Sequence, residues 1–312
     1  MPSDAVPFDA VPFDAVPFDT VRVAAVQATP VVLDAEATVA KAIGLVEAAA
    51  RDGAQLVVFP ECFVSVYPTG GWAAAAATWG HACDELWDRM WASSVDVRGP
   101  LVGRLSAACA DLGVHVAIGV NEREDERPGS LYNTLLLVGP EGVVHRHRKL
   151  MPTMHERVFH GVGAGDDLGV VKLPGVGRVG GLICWENRMP LARWKVYEGG
   201  PQIWLAPTAD DSDSWIASMR HIAIEAGAFV VSVPQYIPVS AFPADFPLPL
   251  PDGVDVLGRG GACIVSPYGA VLAGPLYDAE GVLAVDCDLR DALHAKRSFD
   301  VAGHYGRADV LR

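Results

Sequence analysis

Residues 178–187 read RVGGLICWEN. A short apolar run ends in a cysteine, and polar residues follow at once. Gly181 to Ile183 carries no alternation of polar with apolar residues, which reads as the end of a strand covered on both faces. The same design occurs twice upstream. LVVFP (56–60) ends and Glu61 follows; VVHRHR (143–148) ends and Lys149 follows. A thiol, a carboxylate and an amine are thus delivered at three strand ends. In layered α/β proteins the crevice outside strand ends is where sites gather.

Working outward, helices and strands alternate. Val21–Gln27 is strand-like. Asp34 is placed to cap a helix that closes at Gly53. Residues 72–97 look helical with a loop, and Leu101 to Leu112 is a helix closed by Gly113. Val114–Asn121 is a strand. Leu131–Val138 and Val143–Arg148 pair across a Gly-Pro-Glu-Gly turn, and Val170–Leu173 pairs with Arg178–Ile183. Beyond Cys184 a helix is expected through Tyr197. A strand follows at Ile203–Ala206, a helix at Asp213–Ala226 and a strand at Phe229–Val233. Residues 237–253 are dense in proline and read as a surface loop. A hairpin at Gly261–Gly274, a strand at Val282–Asp286 and a short helix complete the order. Short turns between many neighbouring strands imply mixed sheets. One layered α/β domain over 20–312 is the simplest architecture. Residues 4–18 repeat DAVPF three times, and a proline every fifth residue predicts an extended, flexible arm over 1–19.

The formal net charge of −14 argues against nucleic acid or an anionic membrane as partner, since both call for a positive surface. No apolar stretch approaches bilayer length, and no basic-then-apolar leader opens the chain. The six cysteines are scattered, which fits reduced thiols in a cytoplasmic protein and no clustered metal site. His145 and His147 share one strand face at a spacing that suits a metal, but without further ligands they read as surface histidines.

Singly, Glu61 reads as a solvated loop residue, Lys149 as part of a basic strip and Cys184 as packing. As a set their chemistry coheres. The thiolate is the attacking species, an ammonium favours it, and a carboxylate can take its proton. A helix starting just after Cys184 would add its positive end. Lys149 and the Trp185 N–H are placed to stabilise charge growing on the attacked group. Gly180-Gly181 allows backbone to approach closely behind the nucleophile.

FPECFVSVYPTG (59–70), HRKLMPTMHERVFHGVGAGD (147–166) and GGLICWENRMPLAR (180–193) occur in this order. They are followed by APTADDSDSWIASMRHIAIEAGAFVVS (206–232) and FDVAGHYGRADVL (299–311). Together they resemble the nitrilase superfamily, and the Trp-Glu after Cys184 resembles the nitrilase branch more than the amidases. The resemblance implies an α-β-β-α sandwich that pairs with a second subunit into an eight-layer homodimer or larger homo-oligomer. It implies Cys184 as nucleophile, Glu61 as general base, Lys149 as stabiliser of the oxyanion or imine nitrogen, and Glu156 as a second carboxylate. The substrate would be a small-molecule nitrile, hydrolysed to acid and ammonia without metal or organic cofactor. Tyr67, Trp185 and His160 sit beside the motifs and are expected to line its pocket. An amidase or carbamoylase, or a cyanide-specific enzyme, would use the same trio, and a scaffold protein would keep the fold without turnover. The chain ends soon after GHY, where many microbial relatives continue into a tail, so long filaments are not expected. The DAVPF repeats lie outside the family pattern.

Overall fold

The computed structural model describes residues 19–307 and 309–310, so the DAVPF repeats lie outside the described residues. In chain order the first half runs β1 (Thr20–Gln27), α1 (Ala35–Arg51), β2 (Leu56–Val58), α2 (Gly70–Ala73), α3 (His81–Ala92), α4 (Pro100–Leu112), β3 (His115–Arg123), β4 (Leu131–Gly139) and β5 (Gly142–Arg148). The second half runs β6 (Val170–Leu173), β7 (Gly177–Gly181), α5 (Pro190–Tyr197), β8 (Ile203–Thr208), α6 (Asp213–Ala226) and β9 (Phe229–Pro234). It ends with β10 (Tyr236–Pro238), β11 (Val256–Val265), β12 (Val271–Tyr277), β13 (Gly281–Asp288) and α7 (Leu289–Ser298).

Two mixed sheets result, in orders β13-β1-β2-β3-β4-β5 and β10-β11-β9-β8-β7-β6, with β12 paired to β11. In each, parallel pairs occupy the centre (β1/β2/β3 and β7/β8/β9) and antiparallel pairs the edges. The side-chain period of two sorts each central strand between two cores. On β1, Val21, Val23 and Ala25 face the second sheet, while Ala24 and Val26 meet α1 and α4. On β8, Ile203 and Leu205 face the first sheet, while Trp204 and Ala206 meet α5 and α6. Helices on both outer faces make the expected α-β-β-α layering.

Local chemistry places the boundaries. Asp34 accepts a hydrogen bond from Ala37 N at 2.9 Å, capping α1. Gly113 and Gly227 close α4 and α6 in the left-handed region. One expectation is corrected and one refined. No single helix follows Cys184: a 3-10 turn spans Cys184–Arg188, Met189 is extended, and α5 starts afresh at Pro190. A proline disfavours helical backbone in the residue before it, so the helix cannot run through. Residues 237–253 are largely irregular and partly exposed, as expected, but they are anchored in the core. Ile237, Phe242 and Leu248 are buried, and the rings of Phe242 and Phe246 lie 6.4 and 5.3 Å from that of Trp72. Proline fixes this segment's path while the apolar residues between prolines fill a fourth core cluster.

The layers bring strand ends together at one edge. After β2, Pro60 carries the chain across β3, where Gly119 N donates to Pro60 O at 3.1 Å. A Cβ on Gly119 would lie 2.4 Å from Pro60 O and 2.6 Å from Glu61 Cα. Gly119→Ala is therefore expected to destabilise the protein by about 1–3 kcal/mol through overpacking against backbone, read by thermal unfolding. An unchanged midpoint would show that the Glu61 segment yields freely.

Candidate functional site

Each candidate side chain is held by its own backbone device. Cys184 has φ +51, a left-handed conformation that costs a residue with a Cβ roughly 1–2 kcal/mol. Asn187 holds it: its Nδ2 donates to Leu182 O at 2.7 Å and Cys184 O at 2.9 Å, and Trp204 Nε1 donates to its Oδ1 at 2.7 Å. Glu61 is fixed by Gln235 Nε2, which donates at 3.0 Å to the carbonyls of Glu61 and Cys62. Lys149 N donates to Asn133 O at 2.8 Å as β5 leaves its partner strand. In the strand that leads to Cys184, a Cβ on Gly181 would lie 2.2 Å from Leu205 O, so the expected close approach is to β8.

The side chains converge. Lys149 Nζ donates to Glu61 Oε1 at 2.7 Å and to Glu156 Oε2 at 2.5 Å. Asn133 Nδ2 donates to the same two carboxylates, at 2.6 Å to Glu61 Oε1 and 2.7 Å to Glu156 Oε1. All three charged groups are buried, with side chains no more than 1% exposed. Cys184 is 3% exposed and faces their charges. Among the described residues the sulfur's side-chain hydrogen-bond partner is Thr208 Oγ1 at 3.2 Å rather than Glu61 or Lys149. Thr208 Oγ1 in turn accepts from Asp210 N at 2.9 Å.

The two carboxylates differ sharply. Glu156 accepts from Thr153 N at 2.8 Å and from Tyr67 OH at 3.1 Å, besides Lys149 and Asn133. Burial raises its pKa, but hydrogen bonds from His160 and Lys149 outweigh that and hold it well below the usual carboxylate range. Glu61 has only Lys149 and Asn133, both on Oε1; its buried Oε2 accepts no hydrogen bond from the described residues. Burial dominates there, reinforced by the charge of Glu156 and opposed by Lys149, and Glu61 is pushed up to about 7. Two carboxyl groups pushed apart in this way divide the work: one stays ionised and one exchanges protons near neutral pH. Burial lowers the Lys149 pKa, but the two neighbouring carboxylates of Glu61 and Glu156 outweigh it and hold it well above its ordinary value. The Cys184 thiol is pushed up to about 12, by burial first and then by Glu61, with Lys149 and Thr208 offsetting only part. Lys149 favours the thiolate in direction, as expected, but burial and Glu61 outweigh it, so the sulfur is held as a thiol.

The residues expected to line a pocket separate. Tyr67 points its hydroxyl at Glu156, with Lys149 Nζ 5.8 Å from its ring centroid. His160 does not face a pocket. Its ring is fully buried, with Nδ1 3.3 Å from Glu156 Oε1 and Nε2 2.6 Å from Asn121 Oδ1. Asn121 Nδ2 donates to Val66 O at 2.9 Å, so its oxygen faces the ring and Nε2 carries a proton. Trp185 is 41% exposed, its Nε1 donating to Asp210 Oδ2 at 2.8 Å. His147, read as a surface histidine, is 2% exposed and lies between Asp167 and Glu186. The Gly161–Gly165 segment is loop, with no strand-to-helix turn of the kind that cradles a dinucleotide. Asn133 and Thr208 were not anticipated; a lone amide inside LYNTLLLV was the available signal for the first.

The sequence matches the carbon-nitrogen hydrolase family over residues 22–297. The chain belongs to that family. It is 44% identical over 294 residues to an aliphatic nitrilase of Sinorhizobium fredii, covering 93% of this chain and 94% of that one. It is 42% identical over 302 residues to a bifunctional nitrilase/nitrile hydratase of Nicotiana tabacum, covering 93% and 84%. Among solved structures, the fold is similar to the NitFhit protein of C. elegans (TM-score 0.71, 20% identity, 94% of this chain and 66% of that chain). It is also similar to a nitrilase-superfamily member of Saccharomyces cerevisiae (TM-score 0.70, 18% identity, 92% and 97%). For this carbon-nitrogen hydrolase the fold expected from the strand ends holds, and none of the helices among the described residues is long and apolar enough to cross a membrane.

Proposed function

We propose that this chain is a nitrilase, hydrolysing a small organic nitrile to its carboxylic acid and ammonia, with Cys184 as nucleophile. The observation that carries this reading is the free, buried Oε2 of Glu61, on a carboxyl group poised near 7. Glu61 takes the Cys184 proton as sulfur adds to the nitrile carbon, and the nitrogen takes a proton in turn, giving a thioimidate. Lys149, locked protonated between two carboxylates, stabilises charge at that nitrogen and later at the oxyanion. Water adds with Glu61 as base, the C–N bond breaks and ammonia leaves, and a second water cleaves the thioester. Expulsion of sulfur before nitrogen gives the amide, the product fork implied by bifunctional relatives such as that of Nicotiana tabacum. Glu156 stays ionised and holds Lys149 in place. Trp185 and Tyr67 border the substrate.

Ammonia release from a nitrile and from the matching amide tests the assignment. Faster turnover of the amide would make the protein an amidase instead. The pH profile tests the base. As Glu61 works ionised, kcat/KM is expected to rise with pH to a plateau above about pH 7. A limb in the ordinary carboxylate range near ~4.3 would remove Glu61 from that role.

We further propose that residues 20–312 act as one domain, in the cytoplasm, as a homodimer or larger homo-oligomer. Leu191 on α5 and Ile224 on α6 are 85% and 53% exposed on the outer layer of the second sheet, which supports pairing through that face. Sedimentation at twice the monomer mass is expected, and a monomer would refute it.

A further inference from the structure

Lys149 and Cys184 stand on different sheets, after β5 and after β7, and no strand ladder links those two strands. A chain of buried ionisable side chains does. Glu186 Oε2 accepts from Ile183 N at 2.8 Å, and its Oε1 accepts from Leu150 N at 2.6 Å. His147 Nε2 lies 3.0 Å from Glu186 Oε2, and His147 Nδ1 lies 2.9 Å from Asp167 Oδ1. Asp167 Oδ2 accepts from Arg148 N at 2.8 Å. The groups gripped are the backbone N–H on each side of Lys149 and the one just before Cys184.

We infer that Glu186, His147 and Asp167 form a positioning unit that fixes the backbone of Lys149 relative to that of Cys184. The side chains of Glu186 and His147 are 0% and 2% exposed, and that of Asp167 is 20% exposed at the outer end. Both imidazole nitrogens face carboxylate oxygens, which only accept, so both carry protons and the ring is a cation tying two anions together. Burial opposes that charge, but Asp167 and Glu186 outweigh it and raise His147 to about 9, so the unit persists at neutral pH. Glu186 also caps the 3-10 turn at Ile183, but capping that turn calls for neither Leu150 N nor Arg148 N, which the unit ties to it. Lys149 must meet the nitrile nitrogen while sulfur meets its carbon, and misplacement by ~1 Å costs on the order of 10²-fold in rate. His147, Glu186 and Asp167 touch no reacting atom; they act through backbone.

The inference rests on the proposed function, which Cys184→Ala tests separately through its expected loss of turnover. The test compares Asp167→Asn and Glu186→Gln with wild type, in the full-length enzyme on a nitrile it turns over, well below each variant's melting temperature. Asn at 167 has one oxygen for two places: it either serves Arg148 N and turns an amide donor toward His147, or serves His147 and turns that donor toward Arg148 N. Expected is a fall in kcat of about 10- to 100-fold per folded enzyme, with KM within about threefold and the double variant no worse than the more damaged single one. Either folded variant retaining kcat within about twofold, or showing raised KM at unchanged kcat, overturns the positioning role. If Glu186→Gln fails to fold, the more exposed Asp167→Asn decides alone. A wild type whose turnover survives Cys184→Ala would overturn the functional reading; normal kcat in an enzyme that passes that control overturns only the positioning unit.

Discussion

Cys184→Ala is expected to reduce nitrile turnover by at least about 10⁴-fold while the protein stays folded. The covalent route disappears with the sulfur, and what remains is unaided addition of water to a nitrile beside Glu61 and Lys149. The fold has little reason to follow. The devices that hold residue 184 use main-chain oxygens: Asn187 Nδ2 donates to Leu182 O and Cys184 O, and neither bond involves the thiol. Alanine at φ +51 carries the same Cβ, so the backbone strain is unchanged. Thr208 loses one acceptor but keeps its bond from Asp210 N. Intact-mass analysis supplies the second readout: a slow nitrile leaves an adduct on wild type and none on the variant. Cys62 is the necessary control. It too is buried, with φ +46, and its thiol is pushed well up, by burial first and then by the charge of Glu61. Cys62→Ala should still form the adduct. An adduct that follows position 62 instead would transfer the nucleophile's role to that residue.

The main features of the fold were legible because apolar runs bounded by turn residues carry a strong period. The helix Asp213–Ala226 was legible to the residue, and β4 and β5 to within one residue at each end. Glu61, Lys149, Glu156 and Cys184 were legible through motifs, and side-chain chemistry explains why they can meet. What escaped depended on contacts across the chain. Asn133 looks like one polar residue in a strand until Glu61, 72 residues earlier, and Glu156, 23 later, both accept from it. His147 shares its strand face with His145 in sequence, but its buried surroundings come from Asp167 and Glu186, which no local pattern announces. His160 sits next to apparent pocket residues, yet Asn121 and Glu156 claim both ring nitrogens. The ammonium acts on the sulfur in the expected direction, but its magnitude was not legible: one ammonium does not outweigh full burial beside a carboxylate.

Lys149→Met should cost about as much activity as any change besides the nucleophile, and it should also extend to higher pH the range over which stability falls. Met keeps the length and apolar stem of lysine but removes the cation shared by Glu61 and Glu156. Those carboxylates then share only the Asn133 amide between them, both fully buried, and two like charges in one dry site cannot both stay ionised. Glu61 is the one to protonate: it has fewer donors, and in the wild type Lys149 is the largest influence holding its pKa down against burial. A protonated Glu61 cannot accept the thiol proton, and the developing charge on nitrogen has lost its ammonium, so base and stabiliser fail together. The expected loss in kcat/KM is at least about 10³-fold. Breaking a buried ion pair from one side also costs roughly 3–5 kcal/mol in stability near neutral pH. The sign with pH follows from linkage. A carboxyl group whose folded pKa exceeds its unfolded value binds more protons in the native state between those two values, so stability is greatest below the unfolded pKa and falls as pH rises toward the folded one. Wild-type Glu61 already has this sense, raised to about 7; in the variant the window extends further upward. Thermal midpoints of Lys149→Met should therefore approach those of wild type near pH 5 and fall away from them through pH 7 and above. A deficit that is constant across that range would mean that Lys149 contributes packing alone, and that Glu61 and Glu156 never depended on it for their charge.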